Sequence, residues 1–151
     1  MTAPERTPDP VELSGLADSA ALPEPDAVSA PYFAAAARGE LVFQRCANGD
    51  PFLYPRALCP VCHSGELSWE RSRGQGEIVT FAPVHRPPWD DLRRPTPYVV
   101  VLVRLDEGPQ LLSTLESVSV EEVEIGMRVS AAFEVLSGEI GLVRFLLANG
   151  R

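Results

Sequence analysis

Three cysteines constrain this chain more than anything else in it. Cys59-Pro60-Val61-Cys62 is the kind of tight turn that aims two thiolates at one Zn²⁺. Cys46, in Cys46-Ala47-Asn48-Gly49, opens an earlier turn of the same kind. Structural zinc takes four ligands in a tetrahedron, and Gly49 stands where the fourth thiolate is expected. Three soft ligands make this either a weak metal site or the relic of one, so zinc is expected to be held weakly or not at all. Asp50, the next residue, offers an oxygen ligand. His63 follows Cys62 directly, and its backbone direction makes it a poor co-ligand.

The segments around the cysteines fit a small ribbon. Leu41 to Arg45 reads as a strand into the first turn, Phe52-Leu53-Tyr54-Pro55-Arg56 as the returning strand, and Leu67 to Glu70 as a closing strand. A run this short has no core of its own, so it needs metal or a neighbouring surface. Upstream, Ser29 offers a capping hydroxyl, Pro31 suits a first helical turn and Gly39 ends the helix that Tyr32 to Ala37 would form. Tyr32, Phe33 and Ala36 share one face. They either pack on their own domain or face another subunit. Residues 1–30 hold scattered prolines and acids without apolar periodicity, which predicts a flexible tail, or a segment that folds along a partner.

From Arg71 onward the pattern changes to strands. Gln75 to His85 is the first, with Gly74 and Gly76 marking a bulge or bend where it starts. Tyr98 to Leu105 carries a β-branched run typical of a strand buried on both faces. Leu111 to Leu115, Met127 to Leu136 and Leu142 to Leu147 follow, with a short helix or turn over Val118 to Glu124. Five strands, with the helical connection before the fourth, are the plan of a closed OB-fold barrel. Its expected core is Val99, Val101, Val103, Leu111, Val129, Phe133 and Phe145. The fold is therefore mainly β: tail 1–30, helix and lead-in strand 31–43, ribbon-like module 44–70 and barrel 71–151.

Composition narrows the function. A net charge of −8 without a single lysine opposes phosphate binding. No apolar run reaches the ~20 residues that cross a bilayer, and the start lacks a secretory signal. Three cysteines, two in one close pair, are thiols of a reducing compartment. The chain reads as cytoplasmic, with no nucleic-acid or membrane partner.

In order, Tyr32-Phe33, Gly39-Glu40-Leu41, Gln44-Arg45-Cys46, Tyr54-Pro55-Arg56 before Cys59-Pro-Val-Cys62, Gly74-Gln-Gly76-Glu77-Ile78, Tyr98-Val99-Val100 with Val103 to Gly108, and Ile125 to Val129 resemble a known bacterial and archaeal family. Its members join an N-terminal helix, a rubredoxin-like zinc ribbon and a C-terminal OB-fold. The resemblance spans about residues 31–147 and departs from the family pattern at Gly49. It implies zinc on Cys46, Cys59 and Cys62. It also implies a non-catalytic accessory subunit docked on a thiolase-fold acyl-CoA enzyme, such as a thiolase, steroid side-chain aldolase or acyltransferase. A heterotetramer and acyl-CoA handled through the complex follow from the same likeness.

The residues themselves show no catalytic set. The two histidines, His63 and His85, form no evident pair with a thiol, and there is no Gly-rich phosphate loop. The segment Arg86 to Pro97 stands out: it joins the first two barrel strands and places Trp89 among Arg86, Arg93 and Arg94 on a proline-stiffened frame. Trp and Arg are the types most enriched in interface hot spots, and Arg grips phosphate bidentately. Tyr32, Phe33, Arg86, Trp89, Arg93 and Arg94 are accordingly the expected partner or CoA contacts; Trp89 folded over the barrel end is the plainer reading. The alternative function is an OB-fold nucleic-acid-binding module, which needs exposed aromatics and a basic groove.

Overall fold

In the computed structural model, which describes residues 22–86, 88 and 95–148, helix α1 runs Ala30–Ala37 with Pro31 in its first turn. Ser29 is the N-cap residue, but its hydroxyl does not cap the helix as the sequence suggests. It donates at 2.7 Å to Asp26 Oδ1, which also accepts from the N–H groups of Val28 and Ser29. An Asx turn thus starts the helix, and residues 26–29 belong with it and not with a tail. The far end closes through Gly39 at φ +76°. There Gly39 N–H donates to Ala36 C=O and Glu40 N–H to Ala35 C=O. Glycine takes this left-handed conformation without a Cβ penalty.

Three antiparallel strands form the ribbon, β1 (Val42–Cys46), β2 (Pro51–Phe52) and β3 (Leu67–Arg71), in the order β2-β1-β3. The returning strand expected over Phe52–Arg56 stops at Phe52. Beyond it a buried side chain replaces the ladder. Gln44 Nε2 donates to Arg56 C=O at 3.0 Å, and its Oε1 accepts from Arg56 N–H at 2.7 Å. Both ends of the amide are satisfied, as a buried polar group requires.

The barrel comprises β4 (Gln75–Val84), β5 (Tyr98–Leu105), β6 (Gln110–Leu115), β7 (Arg128–Val135) and β8 (Gly141–Leu147). It closes in the order β4-β5-β6-β8-β7. A single 3-10 turn, Val120–Glu122, precedes β7. β6 meets β8 in parallel at Leu115↔Phe145. This is the expected OB-fold. All seven predicted core residues are buried inside it, joined by Ile78, Leu105, Leu115, Ala131 and Val143. Burying each large aliphatic side chain contributes about 1.5–3 kcal/mol.

Two details differ from expectation. On β5 burial alternates: Val99, Val101 and Val103 are inside, while Val100 and Leu102 are half-buried. The β-branched run therefore lines the lumen with one face only. The bulge lies at Val79, between the paired residues Ile78 and Thr80, not at the glycines. Gly76 serves a different need. It pairs with Leu105 on one side and Val129 on the other, and a Cβ there would lie 2.5 Å from the Arg104 carbonyl oxygen.

Helix α1 packs against β8, β7 and β1. Tyr32 and Ala36 join the barrel core cluster, and Phe33 packs half-buried against it. The Tyr32 and Phe33 rings meet edge to face at 5.4 Å. Tyr32 is 7% exposed, which corrects its assignment as a partner contact: a side chain spent on its own core has no face left for another subunit. Across β7 and β8, Arg144 Nε and Nη2 both donate to Glu134 Oε2, at 3.1 and 3.0 Å. Both side chains are largely withdrawn from water, where such charges persist only as pairs. No helix among the described residues is long and apolar enough to cross a membrane.

Candidate metal centre

The ribbon brings four donors together. The Sγ atoms of Cys46, Cys59 and Cys62 and a carboxylate oxygen of Asp50 all lie within 4.8 Å of one another. The turns that do this are local. Cys46 N–H donates to Asp50 C=O and Gly49 N–H to Cys46 C=O, which closes the first knuckle. In the second, Val61 N–H donates to Cys59 Sγ at 3.4 Å, while His63 N–H donates to Cys59 C=O. His63 is exposed and stands apart from the donor cluster, as its position beside Cys62 suggests.

The spacing fits zinc. With Zn–S bonds of about 2.3 Å and Zn–O of about 2.0 Å, tetrahedral edges measure about 3.8 Å between sulfurs and about 3.5 Å between sulfur and oxygen. Cys62 Sγ lies 3.7 Å from Cys46 Sγ, and Asp50 Oδ2 lies 3.5 Å from Cys46 Sγ. The oxygen donor that the sequence offers at Asp50 is brought among the three thiols, and Gly49, at φ +92°, turns the chain there. The thiols are unequal. Burial pushes Cys46 up from the ordinary thiol range. The backbone N–H of Cys62 holds Cys59 below it, toward the thiolate that a metal binds.

Sequence reasoning missed Arg45 and Gln44. Arg45 donates through Nη1 to Gly49 C=O and through Nε to Glu70 Oε2, each at 2.7 Å. Gln44, as above, holds the loop that leads to Cys59. Neither residue type announces such a role in a sequence, since both act on partners beyond their own turn.

Of the expected surface contacts, Arg86 is exposed, while Trp89, Arg93 and Arg94 lie outside the described residues. Tyr54, Leu58 and Leu112 are also exposed, and Tyr54 Oη accepts from Leu112 N–H at 2.9 Å, tying ribbon to barrel. The solvent side of β5 and β6 presents Arg104, Gln110 and Leu112. Arg104 is paired with Glu77.

Two family profiles cover the ribbon and the barrel as far as β7. The ChsH2 rubredoxin-like zinc ribbon domain matches residues 33–68, and the ChsH2 C-terminal OB-fold domain matches residues 69–134. The chain belongs to the ChsH2 family. A solved structure described as "Ltp2-ChsH2(DUF35) aldolase" superposes with a TM-score of 0.73 at 32% identity, covering 83% of this chain and 98% of that one. A DUF35 domain-containing scaffold protein of Pyrococcus furiosus is 35% identical over 89 residues, 59% of this chain and 65% of its own. A probable enoyl-CoA hydratase alpha subunit of Thermomonospora curvata is 35% identical over 99 residues, 65% of this chain but 30% of its own. The chain thus spans less than two thirds of the length of either of these two relatives.

Proposed function

We propose that this chain is a non-catalytic accessory subunit that docks on a thiolase-fold acyl-CoA enzyme and supports its assembly and acyl-CoA handling. The observation that carries the reading is the superposition on a chain of the structure described as "Ltp2-ChsH2(DUF35) aldolase", 98% of which is covered. The scaffold-protein relative supports it. So does the site chemistry. The three thiols are turned toward one another and Asp50, an arrangement that suits a metal. His85 and His63 are both exposed.

In the same reading, Cys46, Asp50, Cys59 and Cys62 hold a structural zinc that stiffens the ribbon. A closed four-ligand site has no open position for substrate. Partner or CoA contact falls to the Arg86–Pro97 segment, through Arg86, Trp89, Arg93 and Arg94, and to half-buried Phe33.

The purified chain alone is expected to leave acyl-CoA thioesters intact. Turnover lost on Cys46→Ala or Cys62→Ala would overturn the non-catalytic reading. With the partner present, Trp89→Ala is expected to weaken the complex by about thirtyfold, the effect of losing about 2 kcal/mol of an aromatic anchor, while circular dichroism of the barrel stays unchanged. Unaltered affinity would place the interface elsewhere.

A further inference from the structure

Arg45 is the one charged side chain of β1, and it spans two elements of the ribbon. Its Nη1 donates to the carbonyl of Gly49, and its Nε to Glu70 on β3, both at 2.7 Å. The Gly49 carbonyl belongs to the peptide plane that carries Asp50 Cα. Fixing that carbonyl therefore fixes the base from which the Asp50 carboxylate reaches Cys46 Sγ, 3.5 Å away. Two of the other donors sit differently. Cys46 and Cys59 are buried, and Cys59 Sγ accepts a backbone N–H from Val61. Asp50 is only half-buried and follows a left-handed glycine with open space around its Cα.

Glu70 and the Phe43 ring, whose centroid lies 5.5 Å from the guanidinium carbon, keep Arg45 in place. We propose that Arg45 is the positioning residue that holds Asp50 on the metal. The proposal rests on the zinc reading above, in which Asp50 is the fourth ligand.

The test uses the full-length, zinc-loaded protein and follows zinc release into a chelating dye. The optical spectrum of the Co²⁺-substituted protein provides a second readout of the ligand set. Arg45→Met is expected to speed release about tenfold, the lower end of what outer partners of metal ligands contribute. It should also move the Co²⁺ bands toward those of Asp50→Ala. In the Asp50→Ala background, Arg45→Met should add nothing, because the ligand it positions is gone. Arg45→Lys, which keeps the charge but loses the two-pronged geometry, should fall between wild type and Met, and it serves the same cycle if Arg45→Met does not fold. Release at the wild-type rate, or effects of the two substitutions that multiply, would overturn the role of Arg45. Asp50→Ala releasing zinc like wild type would instead remove the Asp50 ligand reading itself.

Discussion

Gly49 and Asp50 are neighbours with opposite expected responses to cysteine. Gly49 sits at φ +92°, where a residue with a Cβ is strained by about 1–2 kcal/mol. Asp50 already has its side chain among the thiols. Asp50→Cys is therefore expected to hold zinc at least tenfold more tightly than wild type in chelator competition, and Gly49→Cys to give no tightening and a lower melting temperature. A second residue-scale outcome concerns Tyr32. Its hydroxyl is buried without a hydrogen-bond partner among the described residues, and burial pushes its pKa well above the ordinary tyrosine value. Tyr32→Phe should be neutral or stabilising, and Tyr32→Ala should cost about 3 kcal/mol, both read by denaturant unfolding. At this scale the cysteines were legible because the chemistry of a knuckle is local. Tyr32 was not, because periodicity says which residues share a face and is silent on what covers it.

At the scale of elements, the barrel strands could be read almost to their ends. Their lumen residues alternate with outward ones, and Tyr98–Leu105 begins and ends where the sequence predicts. The shortened β2 was not legible, since it depends on a Gln44 amide binding a backbone twelve positions away. Nor was the bearing of α1 on the barrel. That contact is tightest at Gly141, where a Cβ would lie 2.3 Å from Ala36 C and Ala37 N in the helix backbone. Backbone at that distance cannot rotate away as a side chain can. Gly141→Val is expected to lift the helix from β8, destabilise the protein by more than about 2 kcal/mol and expose Tyr32, seen as faster amide exchange in α1 with the barrel amides still protected. Protection unchanged in α1 would show that the helix finds another seat.

The whole molecule divides its stability unevenly. The barrel has a continuous apolar core that reaches into α1 and the start of the ribbon through Leu41. The metal end of the ribbon has only Cys46, Cys59 and Phe52 buried, with Cys62 and Leu67 against them. So small a cluster depends on the four donors and the ion they fit. The order of ribbon and barrel was legible as a family pattern, and the ChsH2 profiles match it. The partner was not, because a surface made to fit another protein shows only half of its logic in its own sequence. In the function proposed above, this chain works inside a complex. Purification of the tagged, full-length chain from its native host under gentle conditions, with native mass spectrometry and peptide sequencing of what co-elutes, would recover that complex. A defined hetero-oligomer is expected, in which this 16.4 kDa chain is joined to a thiolase-fold acyl-CoA enzyme subunit. A chain that elutes alone, or with nucleic acid and no such enzyme, would contradict it.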